Sequence, residues 1–294
     1  MKILITGAHG FVGNRLMQDL DDTVAAPSMR SMSEEQIRNM IEKSRADVII
    51  HTAAISDVGT CEKNPGASYE ANVRLPLFLA KAAKEQKLIC FSSDQVYRGC
   101  AGEGPYKEED ASPCNVYGRH KLEMEQRVLD VKPDAVMLRA EWMYDYPAER
   151  SNYLRMLLNE KQVLTFGKQY RGITYLREVA ENMPKIFMLP GGVYNFGSET
   201  KQTMYDITCE MLHFLKSDRK PEEVPPAHNL WMDCTKAKER GILFSDANEG
   251  LKRCLKDYHL AKDREPGISH CVRNPRFFIQ NQSEISILPE MTCR

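Results

Sequence analysis

The chain has 294 residues, with 40 basic and 41 acidic side chains and a formal charge of -1 at neutral pH. That length allows one large domain or two intimate ones with a full core, and the balanced charge argues against nucleic acid or a membrane surface as partner. Nine cysteines, odd in number and never spaced as CxxC, argue against a disulfide framework or a zinc site.

The start of the chain carries no charged leader followed by a long apolar run, and no stretch approaches membrane-spanning length. Reduced thiols and a cytoplasmic protein are the expectation. In chain order, "KILIT" reads as a first strand, followed by a helix from about Phe11 to Leu20. "TVAAP" reads as a second strand, and Ser33 with Gln36 forms a capping box for a helix ending near Lys43. "DVIIHTAA" is the third strand, Asn72 to Glu85 a long helix, and "LICFSS" the fourth strand. A helix carrying Tyr117 and Lys121 then runs to about Leu129, and "DAVMLRA" supplies a fifth strand.

Apolar strands that alternate with amphipathic helices predict βαβ units and a doubly wound parallel α/β sheet, covered on both faces. Beyond Trp142 the pattern is less regular, with helices expected at Asn152 to Asn159, Leu176 to Leu189, Met204 to Leu215 and Glu249 to Tyr258. "GGVYNFGSE" reads as a buried strand entering a Gly turn, and the prolines of "VPPAHN" exclude helix. The expected organisation is a dinucleotide-binding domain over 1–145 and a smaller substrate lobe over 146–260, partly interleaved with the sheet. The tail 261–294 has no sustained period and is expected to be an appendage.

Between the first strand and first helix lies "GAHGFVG", which places Gly7, Gly10, Phe11, Val12 and Gly13 at a strand-to-helix turn. A pyrophosphate approaches the backbone N–H groups of such a turn only where side chains are absent, so this loop predicts dinucleotide binding. An unmodified ribose is bound by an acidic residue near the end of the second strand. Here no Asp or Glu occurs from Thr23 to Met32, while Ser28 and Arg30 offer groups suited to a 2′-phosphate. NADP(H) is therefore expected ahead of NAD(H).

At the end of the fourth strand, "SSDQVYRG" presents Ser93 where ligands of parallel sheets bind. "NVYGRHK" sets Tyr117 and Lys121 four residues apart, on one helix face. A hydroxyl, a phenol and an ammonium can together polarise a carbonyl, donate a proton and lower the phenol pKa.

With "GAHGFVG", "HTAA", "SSDQVY" and "YGRHK" in this order, the sequence resembles the extended short-chain dehydrogenase/reductase superfamily, and within it the dTDP-4-dehydrorhamnose reductases. Their "STDYVFxG", "NVYGxxK" and "RTSWVY" are similar to "SSDQVYRG", "NVYGRHK" and "RAEWMY" here, and the likeness spans about residues 1–260. The resemblance implies Ser93, Tyr117 and Lys121 as a catalytic triad, with Tyr117 and Lys121 also touching the cofactor. It further implies Asp94 and Trp142 as substrate contacts beside Ser93, and Ala53 and Ala54 as cofactor lining. Where the family commonly reads "DQxGxPT", this chain has "GKQYRGIT", with Arg171 and Ile173 replacing a small residue and a proline.

The expected function is NADP(H)-dependent reduction of a 4-keto sugar nucleotide, with a small molecule as partner and a homodimer left open. Two alternatives stand beside it. One is a sugar-nucleotide epimerase or dehydratase of the same superfamily. The other is a non-catalytic NADP-binding subunit resembling the regulatory partner of methionine adenosyltransferase.

Overall fold

Short β-branched runs form strands here because both of their faces are covered, so they need no polar alternation. The computed structural model describes residues 1–147 and 152–260; the tail expectation falls outside them. In chain order come β1 (Ile3–Thr6), α1 (Phe11–Asp19), β2 (Thr23–Ala25), α2 (Glu34–Ser44), β3 (Val48–His51), α3 (Val58–Lys63), α4 (Pro65–Tyr69), α5 (Leu75–Ala82), β4 (Lys87–Ser93), α6 (Val116–Val131) and β5 (Val136–Ala140). There follow β6 (Trp142–Tyr144), α7 (Tyr153–Leu158), β7 (Thr165–Phe166), β8 (Ile173–Tyr175), α8 (Leu176–Ile186), β9 (Gly192–Phe196), α9 (Met204–Phe214), β10 (Glu222–Glu223), α10 (Thr235–Lys238) and α11 (Ala247–Asp257).

The central sheet has six parallel strands in the order β2-β1-β3-β4-β5-β9. The chain leaves β1 toward one side and returns on the other, so the strand order reverses between β1 and β3. That reversal opens a crevice at the carboxyl ends of the two strands. Alternate strand residues face opposite layers. Ile5, Ile50, Ile89 and Leu138 pack with α8 residues Val179 and Met183, whereas Leu4, Ile49, Leu88 and Met137 pack with Ile37, Leu79 and Met124.

A third cluster joins Tyr144, Tyr153, Tyr175, Met204, Ile207 and Leu251, beneath the small parallel pair β6 and β8. The chain then re-enters the main sheet, since β9 pairs with β5 along its whole length.

The capping box at Ser33 and Gln36 is formed as expected, with Gln36 N–H donating to Ser33 Oγ at 3.2 Å. The long helix expected over 72–85 is different. It begins at Pro65, passes through a π turn at Glu70–Arg74 and ends at Ala82. Pro65 supplies a pre-set first helical residue, and the π turn accommodates the buried Asn72. Its Oδ1 accepts from Ile55 N–H at 3.2 Å, and its Nδ2 donates to Ile55 carbonyl at 2.9 Å. Asn72 thereby clamps the segment that follows β3.

Candidate active site

The turn after β1 is fixed by two glycines. Gly7 has φ +72°, and a Cβ there would stand 2.7 Å from the Ala53 nitrogen. A Cβ at Gly13 would meet the Gly7 carbonyl oxygen at 2.2 Å, so α1 can pack on the turn only with this position bare. Gly10 is under less internal constraint: its Cβ would meet only the Gly7 oxygen, at 3.1 Å, and the residue lines the crevice. It is also the N-cap of α1, with no side-chain cap and no acid in the first turn. The helix end therefore suits an anion, and the bare Gly10 leaves space for one to approach.

Opposite this turn, β4 ends in Ser93, whose hydroxyl donates to Asp94 Oδ1 at 3.1 Å and accepts from Gln95 N–H at 3.2 Å. The start of α6 is tied to the same corner. Asn115 caps the helix by accepting from Gly118 N–H at 2.7 Å, and its Nδ2 donates to Gln95 Oε1 at 3.0 Å. Gly118 passes so close that a Cβ would lie 2.4 Å from the Gln95 carbonyl oxygen.

This close packing holds Tyr117 and Lys121 in the same crevice as Ser93. The Lys121 ammonium is 5.8 Å from the Tyr117 ring centroid and donates to the Phe91 carbonyl at 2.7 Å. Burial lowers its pKa to about 8, countered in part by Cys90 and Glu125. The crevice thus offers a hydroxyl, a phenol and an ammonium to an oxygen placed among them. Its volume is about 640 Å³.

The far wall comes from distant sequence. Arg171 donates from Nε to Asp94 Oδ2 at 2.9 Å, with Nη2 in ion-pair contact with the same oxygen at 2.8 Å, and its guanidinium carbon lies 5.4 Å from the Trp142 ring centroid. Trp142 in turn meets Tyr153 edge-on at 5.8 Å, so it belongs both to the crevice and to the core behind it. Next to it, Glu141 is buried; Thr174 hydroxyl and Ser198 N–H donate to its Oε1 at 2.5 and 2.7 Å. Burial outweighs those bonds and pushes its pKa up to about 8, which leaves it neutral at pH 7.

Residues 1–259 match the family model of the RmlD substrate-binding domain. The chain belongs to this family. The dTDP-4-dehydrorhamnose reductase of Aggregatibacter actinomycetemcomitans is 28% identical over 287 residues, covering 85% of this chain and 97% of that protein. Methionine adenosyltransferase 2 subunit beta of Danio rerio is 27% identical over 292 residues, covering 87% and 89% respectively. Among solved structures, the dTDP-4-dehydrorhamnose reductase of Bacillus anthracis in complex with NADP superposes with a TM-score of 0.78 at 22% identity. That superposition covers 87% of this chain and 99% of that one, and it speaks for the fold.

In this RmlD-family chain, one crevice gathers Gly7, Gly10, Phe11, Val12, Ala53, Ala54, Ser93, Asp94, Tyr117, Lys121 and Trp142. Gly13 lies beneath the turn. Ser28 and Arg30 are exposed on the loop after β2, outside the lining. Sequence reasoning did not assign Glu141, Arg171 or Asn72 to the site. A carboxylate inside the apolar run "RAEWMY" was the signal for Glu141, because an acid in a buried strand needs a dedicated environment. Among the described residues no helix is long and apolar enough to cross a membrane.

Proposed function

We propose that the protein is an NADP(H)-dependent reductase of a 4-keto sugar nucleotide, acting in the cytoplasm. The observation that carries this reading is the shared crevice: the open N-terminus of α1 on one side, with Ser93, Tyr117 and Lys121 on the other. The residues present fit the cofactor. Gly10 leaves the approach to the helix N-terminus clear, and no acid lies between Thr23 and Met32 to repel a 2′-phosphate near Ser28 and Arg30. NADPH, when bound, supplies the hydride.

The protein's own groups handle the oxygen and the proton. Ser93 holds the substrate carbonyl oxygen by a hydrogen bond, and Tyr117 donates its phenolic proton as that oxygen gains charge. Lys121 stabilises the phenolate that remains, its ammonium lying 5.8 Å from the Tyr117 ring centroid, and it would hold the nicotinamide ribose when the cofactor is bound. Solvent then restores the proton. Asp94 and Trp142 form the substrate side, and the substrate lobe is assigned to residues 146–260. Cytoplasmic residence is supported by seven described cysteines, all free.

A second reading, a non-catalytic NADP-binding subunit, is raised by relatives named methionine adenosyltransferase 2 subunit beta, which match 87% and 82% of this chain against 85% for the Aggregatibacter reductase. A panel of 4-keto sugar nucleotides assayed for NADPH oxidation separates the two. Turnover with any member supports the reductase, and NADPH binding without oxidation across the panel supports the subunit.

A further inference from the structure

We infer that Arg171 makes this cleft selective for a sugar nucleotide whose sugar ring carries an anionic substituent of the carboxylate type. The inference rests on the sugar-nucleotide reading and narrows its substrate class. Its basis is a guanidinium held rigidly at the reacting end of the cleft with part of its donor set unused.

The backbone at this position is anchored from both sides. Arg171 bridges to Leu230, whose N–H donates to the Tyr170 carbonyl at 3.0 Å, and Tyr170 N–H donates to Asn229 Oδ1 at 2.8 Å. The next residue, Gly172, runs so near Glu141 that a Cβ would stand 1.9 Å from Oε2. Then β8 pairs with β6 at Ile173 and Trp142. A site on such elements holds its geometry without a ligand.

The side chain is oriented as firmly. The guanidinium lies over Trp142 at 5.4 Å from the ring centroid, Nε donates to one oxygen of Asp94, and Nη2 stands 2.8 Å from that same oxygen. The other Asp94 oxygen accepts from Ser93. Arg171 therefore lies one carboxylate away from the hydroxyl assigned to the reacting oxygen, at the sugar end. Nη1 has no protein hydrogen-bond partner among the described residues, and the side chain is 25% exposed and lines the cleft.

The charges around it leave this cation to be met from outside. Lys121 is the other basic residue of the lining, and it is buried against the Phe91 carbonyl. Among the acids of the lining, Asp94 already holds Arg171 by its inner edge, and Asp57 caps α3 by accepting from Thr60 N–H at 2.7 Å. Glu141 is buried with its Oε1 engaged by Thr174 and Ser198, and burial raises its pKa so that its neutral form is favoured. A guanidinium can hold two carboxylates on two edges, and its planar fork matches a carboxylate in two parallel bonds. A neutral hydroxymethyl in the same place would gain one ordinary hydrogen bond.

The test uses the full chain loaded with NADP and two matched pairs of probes: UDP-glucose with UDP-glucuronic acid, and dTDP-glucose with dTDP-glucuronic acid. Calorimetric titration is expected to show the glucuronic acid member bound about 10- to 100-fold more tightly in at least one pair, the range of a charged hydrogen bond. Arg171→Met should erase that ratio by lowering the affinity of the glucuronic acid member far more than that of the glucose member. Arg171→Lys, which keeps the charge without the fork, should retain part of it. NADP affinity, measured on all three proteins, reports whether the variants are folded. Equal affinities within both pairs for the unmodified protein overturn the inference and leave the sugar-nucleotide reading intact. An equal loss for both members in Arg171→Met also overturns it, by assigning Arg171 to the diphosphate they share. Failure of all four probes to bind the NADP-loaded protein removes the sugar-nucleotide reading and the inference with it.

Discussion

Arg139 in β5 and Arg171 before β8 each hold a buried carboxylate, Glu125 and Asp94 respectively, yet the two pairs are built differently. Arg139 meets Glu125 through Nε, at 3.0 and 3.2 Å, and through Nη2 at 2.7 Å. Its Nη1 donates to Tyr97 hydroxyl at 2.7 Å and the Glu108 carbonyl at 2.6 Å. Ser92 adds its own hydrogen bond to Glu125. Each guanidinium nitrogen is engaged, and the two side chains are 3% and 2% exposed. Arg171 presents a single-oxygen contact to Asp94 and an open edge. Burial of an ion pair alone therefore does not separate scaffold from recognition; the donors left over do.

The largest effect that would break this contrast is a loss of folding stability. Arg139→Met leaves Glu125 buried without its partner and should cost about 3 to 5 kcal/mol in urea denaturation. Arg171→Met should cost less, about 1 to 2 kcal/mol, because its removal opens Asp94 to cleft water. Equal costs would mean that both pairs serve the scaffold.

Acid sharpens the contrast from the buried side. His51 is sealed under the site, with Nδ1 2.7 Å from Thr6 hydroxyl and Nε2 without a partner among the described residues. Burial, aided by the charge of Lys121, lowers its pKa from 6.5 to about 3. As pH falls from 6.5 toward 3, the unfolded chain takes up this proton and the folded chain does not, so stability falls through that window. Between pH 6.5 and about pH 4.5 the loss from this group should be on the order of 2 kcal/mol. Denaturation curves of His51→Gln and the unmodified protein should diverge over that range; parallel curves would contradict the assignment.

The contrast also separates what was legible in the sequence from what was not. The glycine turn, Ser93, and the pairing of Tyr117 with Lys121 are each written in a few adjacent residues, where local spacing decides geometry. The six strands were legible as apolar runs, β9 included, although its place beside β5 depends on a crossover that no local pattern encodes. The π turn was missed because its cause is tertiary: Asn72 bonds to Ile55, 17 residues away. Arg171 meets Asp94 across 77 residues, and Glu141 lies between Thr174 and Ser198, contacts that exist only after β6 and β8 pair.

A smaller effect bears on the cofactor side. Gly10→Val should leave thermal stability within about 1 kcal/mol of the unmodified protein, since its Cβ meets only the Gly7 oxygen, while NADPH affinity is lost. A thermal melt beside a fluorescence titration distinguishes the two. Unchanged affinity would make the loop a turn and nothing more.

The central claim is that Tyr117 protonates a substrate carbonyl in this crevice, and single-turnover NADPH oxidation tests it most directly. With a substrate from the keto-sugar panel in hand, Tyr117→Phe should keep the NADPH dissociation constant and oxidise NADPH about 10²- to 10⁴-fold more slowly, the usual worth of general acid catalysis. If Tyr117→Phe turns over at the rate of the unmodified protein, the phenol is not the acid, and the account of the site is wrong.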